Sequence, residues 1–200
     1  MGCALMRGAS SLASVFLPVG LVCLLALPGP ATARQVNVIR VESVISPSSA
    51  DYIVTAIKQT EKERAAALVI ELDTPGGLDT SMRVIIKEML AAERPIVVYV
   101  APAGARAASA GAFITLAAHI AAMAPGTSIG AAAPVVMGQQ VDKTMEKKIT
   151  NDAAAYMRTI AEKRGRPIEL AEEWVRKATA KTETEALKAK LIDVVSPKLD

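Results

Sequence analysis

Residues 36–100 predict an α/β domain with a mainly parallel sheet flanked by helices. Two short apolar runs, Ala67-Leu68-Val69-Ile70-Glu71-Leu72 and Pro95-Ile96-Val97-Val98-Tyr99-Val100, suit strands buried on both faces. Stretches of helical period separate them from each other and from a first alternating segment. Strand, helix, strand, helix, strand is the order of βαβ units, which close into parallel sheets.

The chain opens on a leader. Arg7 precedes an apolar stretch, 15–27, interrupted by Pro18, and then Pro28-Gly29-Pro30-Ala31-Thr32-Ala33. Small residues at 31 and 33 after an apolar run are the pattern of a secretory signal peptide cleaved after Ala33. The alternative is an uncleaved membrane anchor, against which stands a run shorter than the ~18–20 residues of a spanning helix. Either reading puts the remainder outside the cytoplasm, periplasmic or held at the outer side of a membrane. Both cysteines, Cys3 and Cys23, fall in the leader. Residues 34–200 therefore have no disulfide, thiol nucleophile or cysteine metal site. Val22 before Cys23 is not the small residue that lipidation favours.

Residues 34–200 are of one-domain size. Residues 36–44 alternate apolar and polar side chains and read as a first strand. The turn at 46–51 is rich in helix-capping serines, and 52–64 follows with helical spacing. After the strand at 67–72, Asp73-Thr74-Pro75-Gly76-Gly77 breaks the run and 78–92 returns to helical period. The strand at 95–100 gives way to a small-residue loop, 101–108, and an apolar helix begins near Ser109. A short apolar segment at 119–123 and a turn at 124–127 follow. From Asp142 the chain is mostly helical; Thr182-Glu183-Thr184-Glu185 has the form of a capping box, and 191–195 is a candidate last strand.

Two glycine-bearing turns follow two buried strands, and in a parallel sheet the carboxyl ends of the strands gather on one edge. Gly76 and Gly77 open a helix without side chains to obstruct backbone N–H groups. Ser109 lies between Ala108 and Ala110-Gly111, so small neighbours leave it approachable and a helix start supplies the Ala110 amide. Together they have the form of a nucleophile facing an oxyanion hole. Each has a plainer reading: Gly76-Gly77 as a strand-to-helix turn, Ser109 as a helix N-cap.

The motifs Asp73-Thr74-Pro75-Gly76-Gly77, Gly104-Ala105-Arg106-Ala107-Ala108-Ser109-Ala110-Gly111 and Met123-Ala124-Pro125-Gly126-Thr127-Ser128-Ile129-Gly130 resemble those of NfeD-type membrane-associated serine proteases. These belong to the ClpP/crotonase-like superfamily, near signal peptide peptidase SppA. The resemblance extends through Lys148-Ile149-Thr150-Asn151-Asp152 and Gly165-Arg166 and covers 36–195. It implies a ClpP/crotonase-like fold and a serine endopeptidase with a Ser–Lys dyad, Ser109 as nucleophile and Lys148 as base. Gly76 or Gly77 and Ala110 would form the oxyanion hole, and no cofactor or metal is implied. It implies, too, a substrate in hydrophobic segments of stomatin-like membrane proteins, and a homodimer or higher homo-oligomer. Long members continue into membrane helices and a small OB-like barrel, neither of which follows in these 200 residues.

Periodicity bears on the lysine. If 145–160 is one helix, Met145, Ile149, Ala153, Tyr156 and Ile160 form its buried stripe, Lys148 borders it and Lys147 points away. The single histidine, His119, sits in an apolar segment and reads as structural. Aromatic residues make up only 3% of the chain, and with a net charge of +3 in interleaved acids and bases, nucleic acid is excluded as a partner. Two other functions fit the fold: a non-catalytic scaffold binding a stomatin-type membrane partner, and an acyl-CoA enzyme. The second lacks an acidic residue near the second glycine turn.

Overall fold

The structure, a computed structural model, describes residues 35–135 and 142–199. The leader, its cysteines and its cleavage site lie outside the described residues. Among those described, no helix is long and apolar enough to cross a membrane.

Five strands form the main sheet: β1 (Val36–Glu42), β2 (Ala67–Asp73), β3 (Ile96–Val100), β5 (Ile120–Met123) and β8 (Val194–Val195), in the order β1-β2-β3-β5-β8. Every pairing is parallel, with Val36 beside Ala67, Leu68 beside Ile96, Val97 beside Ile120 and Ala122 beside Val194. The expected mainly parallel sheet is present.

Helix α1 (Pro47–Lys62) starts earlier than its apolar period suggests. Ser46 caps it reciprocally with Ser49, and Pro47 takes the first turn, where a missing N–H costs nothing. Helix α2 (Asp79–Ala91) buries Met82, Ile85, Ile86 and Met89. Helix α3 (Ala110–Ala117) is buried along its whole length, which its apolar composition requires. These helices pack against the sheet face bearing Leu68, Ile70, Leu72, Val98 and Val100, forming the principal core. On the other face Val69, Tyr99, Ala101, Ala122 and Ala124 form a smaller cluster.

A second sheet was not expected. Strands β4 (Arg106–Ala108), β6 (Ser128–Gly130) and β7 (Ala180–Thr182) assemble in the order β4-β6-β7, the first pair parallel and the second antiparallel. At three residues each they are too short to show alternation. The helical region divides at Gly165 (φ 64°) into α4 (Lys143–Lys163) and α5 (Ile168–Arg176). Helix α6 (Glu183–Lys188) carries the expected capping box, Thr182 with Glu185.

Ala153 and Ile160 of the expected α4 stripe are buried, but Met145 is exposed and Ile149 and Tyr156 are half-buried. The buried face starts at Ala153 and continues through Ala154, Met157 and Ala161. Among the described residues nothing covers the first turns of α4, so periodicity there has no core to report. Lys148, placed by that period at the border of the stripe, is exposed along with Lys147.

Candidate active site

The turn after β2 and the turn before α3 are joined by Thr74. Its N–H donates to the Arg106 carbonyl (2.8 Å), and its carbonyl accepts from the Ala108 N–H (3.1 Å). The loop after β2 is thus stitched to β4, the strand that delivers Ser109. Gly76 (φ 113°) lies against Ser109: a Cβ there would sit 2.5 Å from the Ser109 Cβ. Gly77 is required by a different neighbour, since its Cβ would fall 2.0 Å from the Ile45 carbonyl oxygen. The Ile45 N–H donates to the Gly76 carbonyl and the Leu78 N–H donates to the Ile45 carbonyl, both at 2.8 Å, locking the turn from outside.

Ser109 occupies the N-cap position of α3 with φ 52° and ψ −116°. Its N–H donates to the Gly130 carbonyl at 3.1 Å, which ties the turn to β6. The side chain makes no capping bond, and among the described residues its Oγ has no hydrogen-bond partner. An N-cap serine normally spends its hydroxyl on the N2 or N3 amide; here the strained backbone aims it elsewhere. It faces a cavity of about 580 Å³ lined by Gly77, Ala110, Leu78, Met82, Phe113 and Ala132 among others. This lining is apolar apart from Ser109 and Asp79, and Asp79 pairs with Arg83 at 2.8 Å.

The two amides expected from the first turn separate. The Gly76 N–H donates to the Thr74 hydroxyl at 3.1 Å, whereas Gly77 lines the Ser109 cavity and its N–H has no partner among the described residues. Ala110 is the first residue of α3, so its N–H has no partner within the helix.

Lys148 does not line that cavity. It lies in an adjoining one of about 450 Å³ with Arg83, Ile149 and Asp152; the two cavities share Asp79, Pro134, Val135 and Ala153 as a common wall. Arg83 crosses between the helices, pairing with Asp79 of α2 and with Asp152 of α4 (2.5 Å), its guanidinium 4.3 Å from the centre of the Tyr156 ring. Sequence reasoning missed Arg83 and the bridging role of Thr74; a threonine two residues ahead of a glycine is the pattern of a side-chain turn and was the available signal.

His119 stands apart from this site. Its Nδ1 accepts from the Ile96 N–H (3.1 Å), and the His119 backbone N–H donates to the Ile96 carbonyl. Partial burial, followed by the Arg164 cation, holds its pKa below the ordinary 6.5. Among the described residues no three His, Asp or Glu side chains gather as a metal site.

Fold and site together define a class: an α/β domain that presents an uncapped serine at a helix start, between glycine-framed amides and an apolar cavity. The chain belongs to the NfeD1b N-terminal domain family, whose description matches residues 35–198. It is 39% identical over 181 residues to the membrane-bound protease PH1510 of Pyrococcus horikoshii, covering 89% of this chain but 41% of that protein. The chain thus spans about two-fifths of that relative's length. Among solved structures, it superposes on a mutant of a membrane-bound stomatin-specific protease whose serine is replaced by alanine. There the TM-score is 0.77 and the identity 38%, over 83% of this chain and 81% of that one. A lysine-to-alanine mutant of the same protease, in complex with a substrate peptide, gives a TM-score of 0.78 and 36% identity over 84% and 78%.

Proposed function

We infer that the domain is a serine endopeptidase working by acyl transfer. The observation that carries this reading is the unpartnered Ser109 Oγ, held by a strained N-cap over an apolar cavity. The Lys148 Nζ takes the proton of Ser109 as the oxygen attacks a peptide carbonyl, then gives it to the departing amine. The tetrahedral oxyanion lies between the Gly77 and Ala110 amides, and water releases the acyl group. The Gly76 amide, spent on Thr74, takes no part. Arg83 neutralises Asp79 at the cavity wall, removing a charge that would oppose the oxyanion.

Because Lys148 is exposed in the adjoining cavity, the dyad requires the first turns of α4 to close on the shared wall when substrate binds. A cavity walled by Leu78, Met82 and Phe113 suits a branched or aromatic apolar side chain. The substrate class that follows is a hydrophobic segment of a stomatin-like membrane protein, by likeness to the stomatin-specific protease. The leader pattern of the sequence supports a location outside the cytoplasm, and a homodimer or larger homo-oligomer is the assembly the family resemblance implies. The fold reading is ClpP/crotonase-like.

A fluorophosphonate probe followed by peptide mapping tests the nucleophile: the expected result is modification of Ser109, and modification of another serine alone would contradict it. The exposure of Lys148 favours one other reading, a non-catalytic scaffold that binds a stomatin-type partner. That reading requires partner capture to survive both Ser109→Ala and Lys148→Ala, with no peptide hydrolysis by the unaltered protein.

A further inference from the structure

Thr74 is fully buried and meets the site through every part of itself. Its backbone binds the Arg106 carbonyl and the Ala108 N–H, on the strand that leads into Ser109. Its hydroxyl accepts from the Gly76 N–H at 3.1 Å and donates to the Gly76 carbonyl at 3.2 Å. Its methyl group fills the space beside Gly111, where a Cβ would lie 2.6 Å from it. One side chain therefore touches both turns.

The hydroxyl has a selective effect. Two successive amides in a glycine turn could both point at an oxyanion, or neither, according to the rotation of the peptide between them. The Thr74 hydroxyl takes up the Gly76 N–H and donates to the Gly76 carbonyl, which also accepts from the Ile45 N–H. The second bond holds the Gly76–Gly77 peptide together with Ile45, and Gly77 alone of the two glycines lines the Ser109 cavity. We propose that Thr74 is a positioning residue whose hydroxyl fixes the peptide rotation that leaves the Gly77 amide available to the oxyanion beside Ser109. It touches neither substrate nor reacting atoms. The inference deepens the peptidase reading and rests on it for its catalytic consequence, but the clamp itself is measurable without turnover.

Substitution separates the hydroxyl from the methyl. Thr74→Val keeps the shape and removes the oxygen; Thr74→Ser keeps the oxygen and removes the methyl; Thr74→Ala removes both. If the hydroxyl sets the turn, kcat on an apolar peptide falls about 10- to 100-fold in Thr74→Val and Thr74→Ala, less than the roughly 100- to 1,000-fold lost with an oxyanion donor itself. KM stays within about twofold, and Thr74→Ser recovers most of kcat. If Thr74 only fills space, Thr74→Val matches the parent and Thr74→Ser is the impaired variant, which overturns the proposal. Amide hydrogen exchange at Gly76 provides the second reading. Exchange at least about tenfold faster in Thr74→Ala than in Thr74→Ser supports the clamp; equal rates in the two overturn it. These two variants keep the question open to measurement even if Thr74→Val does not fold. Hydrolysis by the parent that Ser109→Ala does not reduce refutes the peptidase reading instead, and the exchange result still decides the clamp.

Discussion

Ser109 holds φ 52° and ψ −116°, a region that only glycine enters without cost. Strain of this kind amounts to about 1–3 kcal/mol and persists where the surroundings over-determine it. Here the bond from its N–H to Gly130 and the stitching of β4 to Thr74 supply that constraint. Ser109→Gly is therefore expected to unfold at higher denaturant than Ser109→Ala, by about 1 kcal/mol after the entropic cost of glycine. Equal or lower stability of the glycine variant would show that the conformation stores no strain. His119 gives a second residue-scale test. Its folded pKa is depressed, so above 6.5 the stabilising contribution is complete in the neutral form. It is lost as pH falls below 6.5 toward the folded value, when the unfolded chain binds the proton first. The ring is largely in water, so the effect is small; a His119→Gln variant should show a flatter stability profile as pH falls below about 6.5. A steeper profile in that variant would contradict the assignment.

At the scale of elements, two arginines close the carboxyl ends of helices. Arg166, 6% exposed, donates to the carbonyls of Leu116, Ala118 and Leu191 and pairs with Asp193 at 2.9 Å. Arg164 donates to Ala117 and Met89, the last turns of α3 and α2. Charge-assisted bonds to otherwise unpaired carbonyls contribute about 1.5–3 kcal/mol each. Arg166→Met should thus cost about 3 kcal/mol or more in chemical denaturation, and a loss under about 1 kcal/mol would contradict its role as a hub. These bonds were not legible, because a buried arginine reached through the Gly165 turn looks like helical surface in sequence. The elements that were legible have strong local chemistry. The runs at 67–72 and 95–100 announce central strands, and Thr182 with Glu185 announces a capped helix. Strands β4, β6 and β7 are held by register against neighbours instead of by their own composition, so they left no pattern. Ser109, Ala110 and the glycine pair stood out because small residues cluster where a backbone must approach another. The division of labour between Gly76 and Gly77 did not, since it depends on hydrogen bonds from one buried hydroxyl to the N–H and the carbonyl of Gly76.

At the scale of the whole molecule, the parallel sheet gathers the carboxyl ends of β2 and β3 on one edge. Both turns of the site are built from there. The helix-covered face provides the rigid core, and the first turns of α4 stand clear of it with Lys148 exposed. The sequence period of α4 suggested an inward lysine because Ile149 and Ala153 flank it, yet the core beneath begins only at Ala153. The proposed dyad requires closure over substrate, so Lys148 should become shielded when an apolar peptide fills the cavity. Slower acetylation of Lys148 in the presence of a slowly cleaved apolar peptide is the expected outcome; an unchanged rate would argue against closure.

The central claim is that Ser109 and Lys148 act as one unit, and steady-state hydrolysis of an apolar peptide tests it most directly. The parent should cleave, Ser109→Ala and Lys148→Ala should each lose at least about a thousandfold in kcat, and the double variant should lose no more than either alone. Turnover unchanged by Ser109→Ala, or losses that multiply in the double variant, would contradict it.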